Sequence, residues 1–455
     1  MGVRPGPGLT ARRASDLERM RSIAKARRQV PPSGHPDSYY AATANASPAH
    51  PQLAGSIYAD VCVIGGGFTG VSAALHLAER DYDVVLLEAA RVGAGASGRN
   101  GGQVISGQRI GVSELEQAFG VERARLLWQL AEEAKATVRH RIARHAITCH
   151  LKPGALVAAY KPGDATRLER TAEHLAEAYD YPHARYVSGE EMAEMLATKR
   201  YFGGLLDAGA CHLHPLNYVL GLADAALGAG VRVFEHSRVR RIQRTRPPIV
   251  GTEEGRVEAR FVVLAMNGYL GTLMPQLAGW IMPINNFMLA TAPLGEEAAR
   301  ALIRNDVAVS DTKFVPDYFR LSADHRLLFG GGESYGPRFP EDIKGFVRGY
   351  MLRVFPQLAG VAVEYGWGGT LAITRTRLPH FARLAPEIFV AHGYSGQGIA
   401  LATLAGKLIA EAVAGTAERF DVMADLQLRR FPGGTWLRRP ALVAGMLYYG
   451  LLDRL

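Results

Sequence analysis

Residues 59–70 read ADVCVIGGGFTG, and residues 84–88 read VVLLE. Ala59–Ile64 has the composition of a buried strand. Gly65–Gly70 is a G-x-G-x-x-G turn. Phe68–Glu79 reads as a helix carrying the small residues Ser72, Ala73, Ala74 and Ala78. Val84–Leu87 is a second buried strand, and Glu88 ends it. The order strand, Gly-rich turn, helix, strand within about thirty residues predicts a parallel βαβ unit of the nucleotide-binding kind.

Each glycine has a physical reason to be there. Gly65 permits the tight turn, Gly67 lets a pyrophosphate approach the backbone, and Gly70 lets the helix pack closely on the sheet. The helix start offers free N–H groups and a positive dipole end to phosphates. Glu88 stands where a carboxylate accepts hydrogen bonds from the adenosine ribose, and its charge disfavours a 2′-phosphate. FAD and NAD both satisfy this unit.

Outward from it, residues 91–107 form a second Gly-rich loop, whose Ser97, Arg99 and Asn100 supply donors for phosphate and ribityl oxygens. A third stretch, Gly393–Gly398 (GYSGQG), opens a helix over Ile399–Val413. A helix N-terminus there favours negative charge on the pyrimidine end of a flavin. Ser395 is no hydrolase nucleophile, because G-x-S-x-G needs glycine where Gln397 stands. Between these motifs the pattern predicts helices over Val121–Ala146, 165–178, 189–197 (Ser188 and Glu191 forming a capping box) and 215–229. Strands are expected at Val231–Phe234, Val239–Ile242, Arg260–Ala265, Phe287–Ala292, Arg326–Gly330 and Ile388–Ala391. The fold class is therefore α/β, with two discontinuous domains. The cofactor domain takes 59–115, 205–275 and 360–425, and an α+β substrate domain takes 116–204 and 276–359. An irregular lead-in covers 36–58, and a C-terminal helical segment covers 426–455.

The chain of 455 residues has a net charge of +9, concentrated at its ends. Residues 1–35 carry +6 and residues 428–455 carry +4, leaving the body at −1. A near-neutral body argues against a nucleic-acid surface. The basic start reads as a solvated tail, an interaction arm, or sequence ahead of a translational start at Met20. Three cysteines make no disulfide framework and fit a reducing compartment. No apolar run is long enough to span a bilayer, so a cytoplasmic enzyme is expected. The apolar helix expected at 440–455 is too short to span and reads as a docking element.

The stretches SYYAATAN (38–45), DVCVIGGGFTG (60–70), GAGASGRNGGQ (93–103), DYFRLSADHRLLFGGG (317–332), WGGTLAITRTRLPH (367–380) and GYSGQGIALATLAGK (393–407) resemble the FAD-dependent amine and amino-acid oxidases of the D-amino-acid oxidase superfamily. Within it they most resemble the branch that oxidises γ-glutamylputrescine. The resemblance covers about residues 36–455. It implies a glutathione-reductase-type FAD domain, with FAD contacts from Gly65, Gly67, Gly70, Glu88, Ser97, Arg99, Asn100, Gln103, Val239, Ala265, Gly396, Gln397, Gly398 and Ile399. Neither the cysteine nor the histidine to which some relatives tether flavin is present, which implies non-covalent FAD.

The resemblance further implies oxidative deamination of a small amine, with hydride passing to the flavin and O2 as acceptor. Tyr318 and Arg320 fall in the stretch that meets substrate, where an arginine fork matches a carboxylate; a surface ion pair is the plain alternative. Trp367 and Tyr394 are either aromatic walls for a neutral amine or core packing. Lys313 is either a promoter of the O2 reaction or an exposed lysine. Cys211-His212-Leu213-His214 lacks a second ligand cluster, so no metal is expected. A dehydrogenase for a D-amino acid or N-methylated glycine, and a dinucleotide-binding regulatory or assembly protein, are the competing readings.

Overall fold

A computed structural model describes residues 34–334 and 338–432. Nearly all of the basic extension, and the segment expected to be helical at 440–455, lie outside the described residues. No helix among the described residues is long and apolar enough to cross a membrane.

The opening unit forms the centre of an eight-stranded sheet. Strand Gly55–Ile64 pairs in parallel with Val84–Leu87 on one side and Gly255–Leu264 on the other. Arg232–Phe234 extends the parallel set beyond Val84–Leu87, and Ile388–His392 extends it beyond Gly255–Leu264. His380–Ala385 closes that edge antiparallel. A ribbon of Arg241–Gln243 and Ile249–Gly251 branches from the start of Gly255–Leu264.

Period-2 alternation splits the central strands between two cores. Val61, Val63, Val84 and Leu86 face the layer of helices Phe68–Ala78, Pro215–Gly228 and Gly398–Val413. Cys62, Ile64, Val85 and Leu87 face the opposite side, with Leu270, Met274, Leu277 and Ile281. Burial on both faces explains why these strands read as continuous apolar runs.

Helices Phe68–Ala78 and Gly398–Val413 cross at backbone distance, and Ser72 Oγ donates to Thr403 O at 2.6 Å. A Cβ on Gly406 would lie 2.5 Å from Ala73 N and 2.6 Å from Ser72 Cβ. Gly406→Ala therefore has to push two helices apart. It is expected to cost about 1–3 kcal/mol, as overpacking does, and to lower the thermal unfolding midpoint. An unchanged midpoint would show that the contact gives way freely.

A second sheet of nine strands lies beside the first. Its main path runs Val363–Ile373, Met282–Thr291, Leu327–Ser334, Tyr318–Leu321, Ala308–Asp311, Lys152–Ala158, Gly204–His212 and Gln103–Val104. One face buries Phe287, Leu289, Val309, Phe319 and Phe329 beneath helix Ile343–Val354. Alternation turns Asn286, Ser310 and Tyr318 to the other face, where they line a cavity.

Several boundaries differ from expectation. Strands Gln103–Val104, Gly204–His212 and Val363–Ile373 belong to the second sheet, although the expected segments assign them to the cofactor domain. The long helix ends at Arg144, where Ala146 turns left-handed (φ 49°). A separate helix, Val112–Phe119, precedes it across Gly120 (φ 83°). Val239 is not in a strand, because the ladder to Ile249–Gly251 begins at Arg241. The serine half of the capping box forms, Ser188 Oγ accepting from Glu191 N at 3.2 Å, whereas the Glu191 carboxylate accepts from Arg185 Nη1 at 2.9 Å.

Candidate functional site

One cavity of about 1210 Å³ is lined by residues at the ends of the parallel strands and by residues of the second sheet. Ile64, Leu87 and Ala265, at strand ends, form part of its wall. This is the crevice in which open α/β sheets bind ligands. Its volume exceeds that of ordinary small-molecule pockets, roughly 300–1,000 Å³.

The first turn is built as a cradle. Gly65 N donates to Leu87 O at 2.8 Å. Gly65 has φ +111°, and a Cβ there would lie 2.7 Å from Ala265 O. Gly67 caps helix Phe68–Ala78, and its Cβ would lie 2.8 Å from Ser97 Oγ. Both line the cavity. Gly70 does not line it; its Cβ would lie 1.9 Å from Gly65 O, so it serves the close seat of helix on turn. Glu88 lines the cavity and accepts from Gly66 N (2.7 Å) and Ala90 N (2.9 Å). Burial pushes its carboxyl pKa up, and those N–H groups pull it back. Each carboxylate oxygen retains acceptor capacity for a ribose hydroxyl. Val239 and Ala265 also line the cavity.

The second loop is tied to the first. Ser97 Oγ accepts from Phe68 N at 3.0 Å, holding the turn Ala96–Gly98 against the helix start. Arg99 donates to Ala94 O (2.7 Å) and Gly368 O (3.1 Å), with one terminal nitrogen left without a partner. Asn100 donates to Ala96 O (3.0 Å) and Ser97 O (2.9 Å) and accepts from Gly102 N (2.9 Å). Gln103 donates to Val309 O at 2.9 Å. All four residues line the cavity. Arg99 and Asn100 were expected to donate to phosphate and ribityl oxygens; here the bonded nitrogens serve the loop's own carbonyls. A Gly-rich loop has few other ways to satisfy buried backbone.

At the third stretch Gly396, Gln397, Gly398 and Ile399 line the cavity at the start of helix Gly398–Val413. Gln397 donates to Gly107 O (2.6 Å) and Ser106 O (3.2 Å), joining this turn to the second loop. Tyr394 lines the cavity, with its hydroxyl 2.6 Å from Thr69 Oγ1. Two helix N-termini therefore meet one cavity, an arrangement suited to anionic groups. The cradle, the acidic residue and the paired termini fit an FAD along this wall.

The expected substrate residues separate. Tyr318 lines the cavity and donates to Asn286 Oδ1. Arg320, two residues on, is 5% exposed and does not line it. Its guanidinium donates to Gly101 O and Leu213 O, both at 2.8 Å, and to Tyr40 OH at 3.2 Å. A carboxylate-binding Arg320 is thus corrected to a buried brace behind the second loop. Trp367 is corrected likewise: it is buried, its Nε1 donates to Arg99 O at 3.1 Å, and its ring packs on Tyr40. Lys313 is not an exposed lysine, for Asp317 Oδ2 lies 2.5 Å and Asp311 Oδ2 3.4 Å from its ammonium. His212 bonds to Asp306 O at 2.8 Å, and His214 accepts from Asn217 N at 3.1 Å.

Sequence reasoning missed Gln108, Arg109, Asn286, Glu333 and Arg377, which all line the cavity. Asn286 left a signal, a polar pair inside the otherwise apolar run MPINNFMLAT. Arg109 and Arg377 sit in connecting segments, where no periodicity marks them.

Comparison with known proteins agrees with this geometry. The chain is 44% identical over 422 residues to the protein of Escherichia coli (strain K12) named gamma-glutamylputrescine oxidoreductase, covering 92% of this chain and 99% of that one. It is 38% identical over 425 residues to "Probable oxidoreductase OrdL" of Haemophilus influenzae (strain ATCC 51907 / DSM 11121 / KW20 / Rd), covering 92% and 98%. The crystal structure of glycine oxidase from Geobacillus kaustophilus superposes with a TM-score of 0.67 at 21% identity, over 79% of this chain and 95% of that one, and shares the fold. Residues 60–412 match the family DAO, described as FAD dependent oxidoreductase. A cradle shaped for a dinucleotide and a match across the whole two-sheet body lead to one conclusion: this chain is an FAD-dependent oxidoreductase and belongs to the DAO family.

Proposed function

We propose that the chain is an amine oxidase acting on γ-glutamylputrescine or a related amine. The amine, O2 and water would give an aldehyde, ammonia and hydrogen peroxide. The observation that carries this reading is the continuity of the cavity. It runs from the cradle of Gly65, Gly67 and Glu88 to the polar face of the second sheet at Asn286, Tyr318 and Glu333. The kind of amine rests on the 44% identity to the E. coli oxidoreductase.

When bound, FAD would supply the redox chemistry, as the acceptor of two electrons from the amine. The chain's own residues bind and orient. Gly65 and Gly67 would leave space at the start of helix Phe68–Ala78 for the diphosphate, and Glu88 would accept from the ribose. Gly396–Ile399, at a helix start on the cavity wall, would favour negative charge developing on a flavin ring held there. The Tyr318 hydroxyl is fixed by Asn286, so that side of the cavity is preorganised.

Anaerobic spectral titration of the purified holoenzyme tests the reading. γ-Glutamylputrescine should bleach the visible flavin absorbance, and admitting air should restore it. Bleaching by sarcosine or D-alanine in its place would sink the substrate while keeping the family. Bleaching that air does not reverse, but an artificial dye does, would replace the oxidase by a dehydrogenase.

A further inference from the structure

The polar face of the second sheet meets the second loop at Tyr318. Its ring stands between two glycines: a Cβ on Gly330 would lie 2.1 Å from Tyr318 Cζ, and one on Gly101 would lie 2.8 Å from Tyr318 Cε2. Gly330 is the partner of Tyr318 on the neighbouring strand, and Gly101 belongs to the loop. Asn286 reaches the same place from strand Met282–Thr291. Its ladder partner Gly369 also touches the loop, for a Cβ there would lie 3.2 Å from Arg99 Cβ. Gly101, Asn286, Tyr318 and Gly369 all line the cavity.

One backbone carbonyl sets the direction of the hydrogen bonds here. Asn286 Nδ2 donates to Gly332 O at 3.2 Å, so its Oδ1 turns to Tyr318 and accepts the hydroxyl proton. A carbonyl cannot donate, and this fixes which end of the amide is which. Burial raises the Tyr318 pKa, so the proton stays on the oxygen. Among the described residues the hydroxyl makes no other hydrogen bond. With its single proton committed to Asn286, the tyrosine oxygen can only accept. Donating to Asn286 makes it a better acceptor.

We propose that the Tyr318 hydroxyl oxygen accepts an N–H of the amine that is oxidised, and that Asn286 is the positioning residue that makes it an acceptor. The inference rests on the amine oxidase reading and deepens it. When an amine becomes an imine, the α-carbon proton leaves with the two electrons that the cofactor takes. The nitrogen lone pair then becomes the second bond of C=N. A hydroxyl that donated to the nitrogen would hold that lone pair back, whereas one that accepts N–H leaves it free. The same polarity separates substrate from product. The amine has N–H to give, but the aldehyde brings a carbonyl oxygen to an oxygen whose proton points elsewhere. Tyr318 therefore holds the amine and releases the aldehyde.

The test compares FAD-loaded wild type, Tyr318→Phe and Asn286→Leu. The probes are tert-butylamine and pinacolone, which share a tert-butyl group. One offers N–H and has no α-hydrogen to lose; the other offers a carbonyl oxygen alone. Each is titrated as a competitive inhibitor and by its change in the flavin spectrum. Wild type should bind the amine better than the ketone. Tyr318→Phe should bind the amine roughly 10-fold more weakly, the scale of one hydrogen bond. Its kcat/KM should fall by one factor for both γ-glutamylputrescine and N-acetylputrescine, which lacks the carboxylate but keeps the reacting amine. In Asn286→Leu the freed hydroxyl can turn its proton to the cavity. That variant should bind pinacolone roughly 10-fold more tightly than wild type does, and should lose more in kcat than it gains in KM. A lesion that only loosens the strand would weaken both probes. Equal affinity of wild type for the two probes, or equal amine affinity in wild type and Tyr318→Phe, would overturn the acceptor. No gain for pinacolone in Asn286→Leu would overturn the role of Asn286. If no amine reduces wild type, the oxidase reading fails separately, and the spectral titrations with the two probes still decide the polarity.

Discussion

Gly67→Val is expected to give a folded protein that binds no FAD. Gly67 has φ −92° and ψ −174°, extended backbone that valine adopts readily, so the substitution brings no backbone strain. The conflict is spatial. A Cβ at this position lies 2.8 Å from Ser97 Oγ, the atom that accepts from Phe68 N and locks the second loop to the helix start. A branched side chain drives Ser97 away and fills the approach to the helix N-terminus, so both walls of the cradle are lost in one step. FAD affinity should fall at least about 100-fold, or roughly 2.7 kcal/mol. The measurements are flavin absorbance per mole of purified protein and the thermal midpoint with and without added FAD. Wild-type apoprotein should gain stability with FAD by mass action; the variant should show a somewhat lower apo midpoint, for the lost Ser97 bond, and no gain with FAD. Stoichiometric yellow protein would refute the cradle. Gly65 makes the contrast: at φ +111° and 2.7 Å from Ala265 O, any side chain there strains the backbone and hits it, so Gly65→Ala should lower the apo midpoint itself.

This difference between neighbouring glycines marks what the sequence could convey. The turn, its helix and the strand ending at Glu88 are local, and their glycines and apolar periods are set by contacts within about thirty residues. Those elements were legible, as was the helix opened by Gly398. The substrate side was not, because its roles depend on partners far along the chain. Tyr318 and Arg320 share a face of one strand by alternation, and sequence alone gives both to the substrate. They part because Arg320 meets Gly101 and Leu213, 219 and 107 residues away, whereas Tyr318 meets Asn286. Trp367 is likewise claimed by Arg99, 268 residues away. The domain boundaries drifted for the same reason. Gly204–His212, for which no strand was expected and which falls almost wholly in a segment assigned to the cofactor domain, pairs with Lys152–Ala158 in the second sheet.

Arg320→Met should therefore behave as a structural lesion and not as a binding one. Four donors leave with the guanidinium: two hold Gly101 O and Leu213 O, one reaches Tyr40 OH, and one reaches Leu321 O at 3.3 Å. The second loop is moulded around this group; a Cβ on Gly102 would lie 2.8 Å from Arg320 Nη2. Methionine fills part of the volume but leaves two buried carbonyls without partners. A hydrogen bond to a charged group contributes about 1.5–3 kcal/mol, so a loss of roughly 3–5 kcal/mol is expected. The thermal midpoint and the FAD content should fall together, since the carbonyl released at Gly101 belongs to the loop that lines the cavity. Arg320→Lys should recover part of the midpoint, because one ammonium can serve some of the same carbonyls without the fork. Activity per folded enzyme should fall by the same factor for γ-glutamylputrescine and N-acetylputrescine. A carboxylate-binding Arg320 would do the opposite, raising KM for the charged substrate alone at an unchanged midpoint. Burial behind the loop thus makes Arg320 a brace, where residue type alone would make it a ligand.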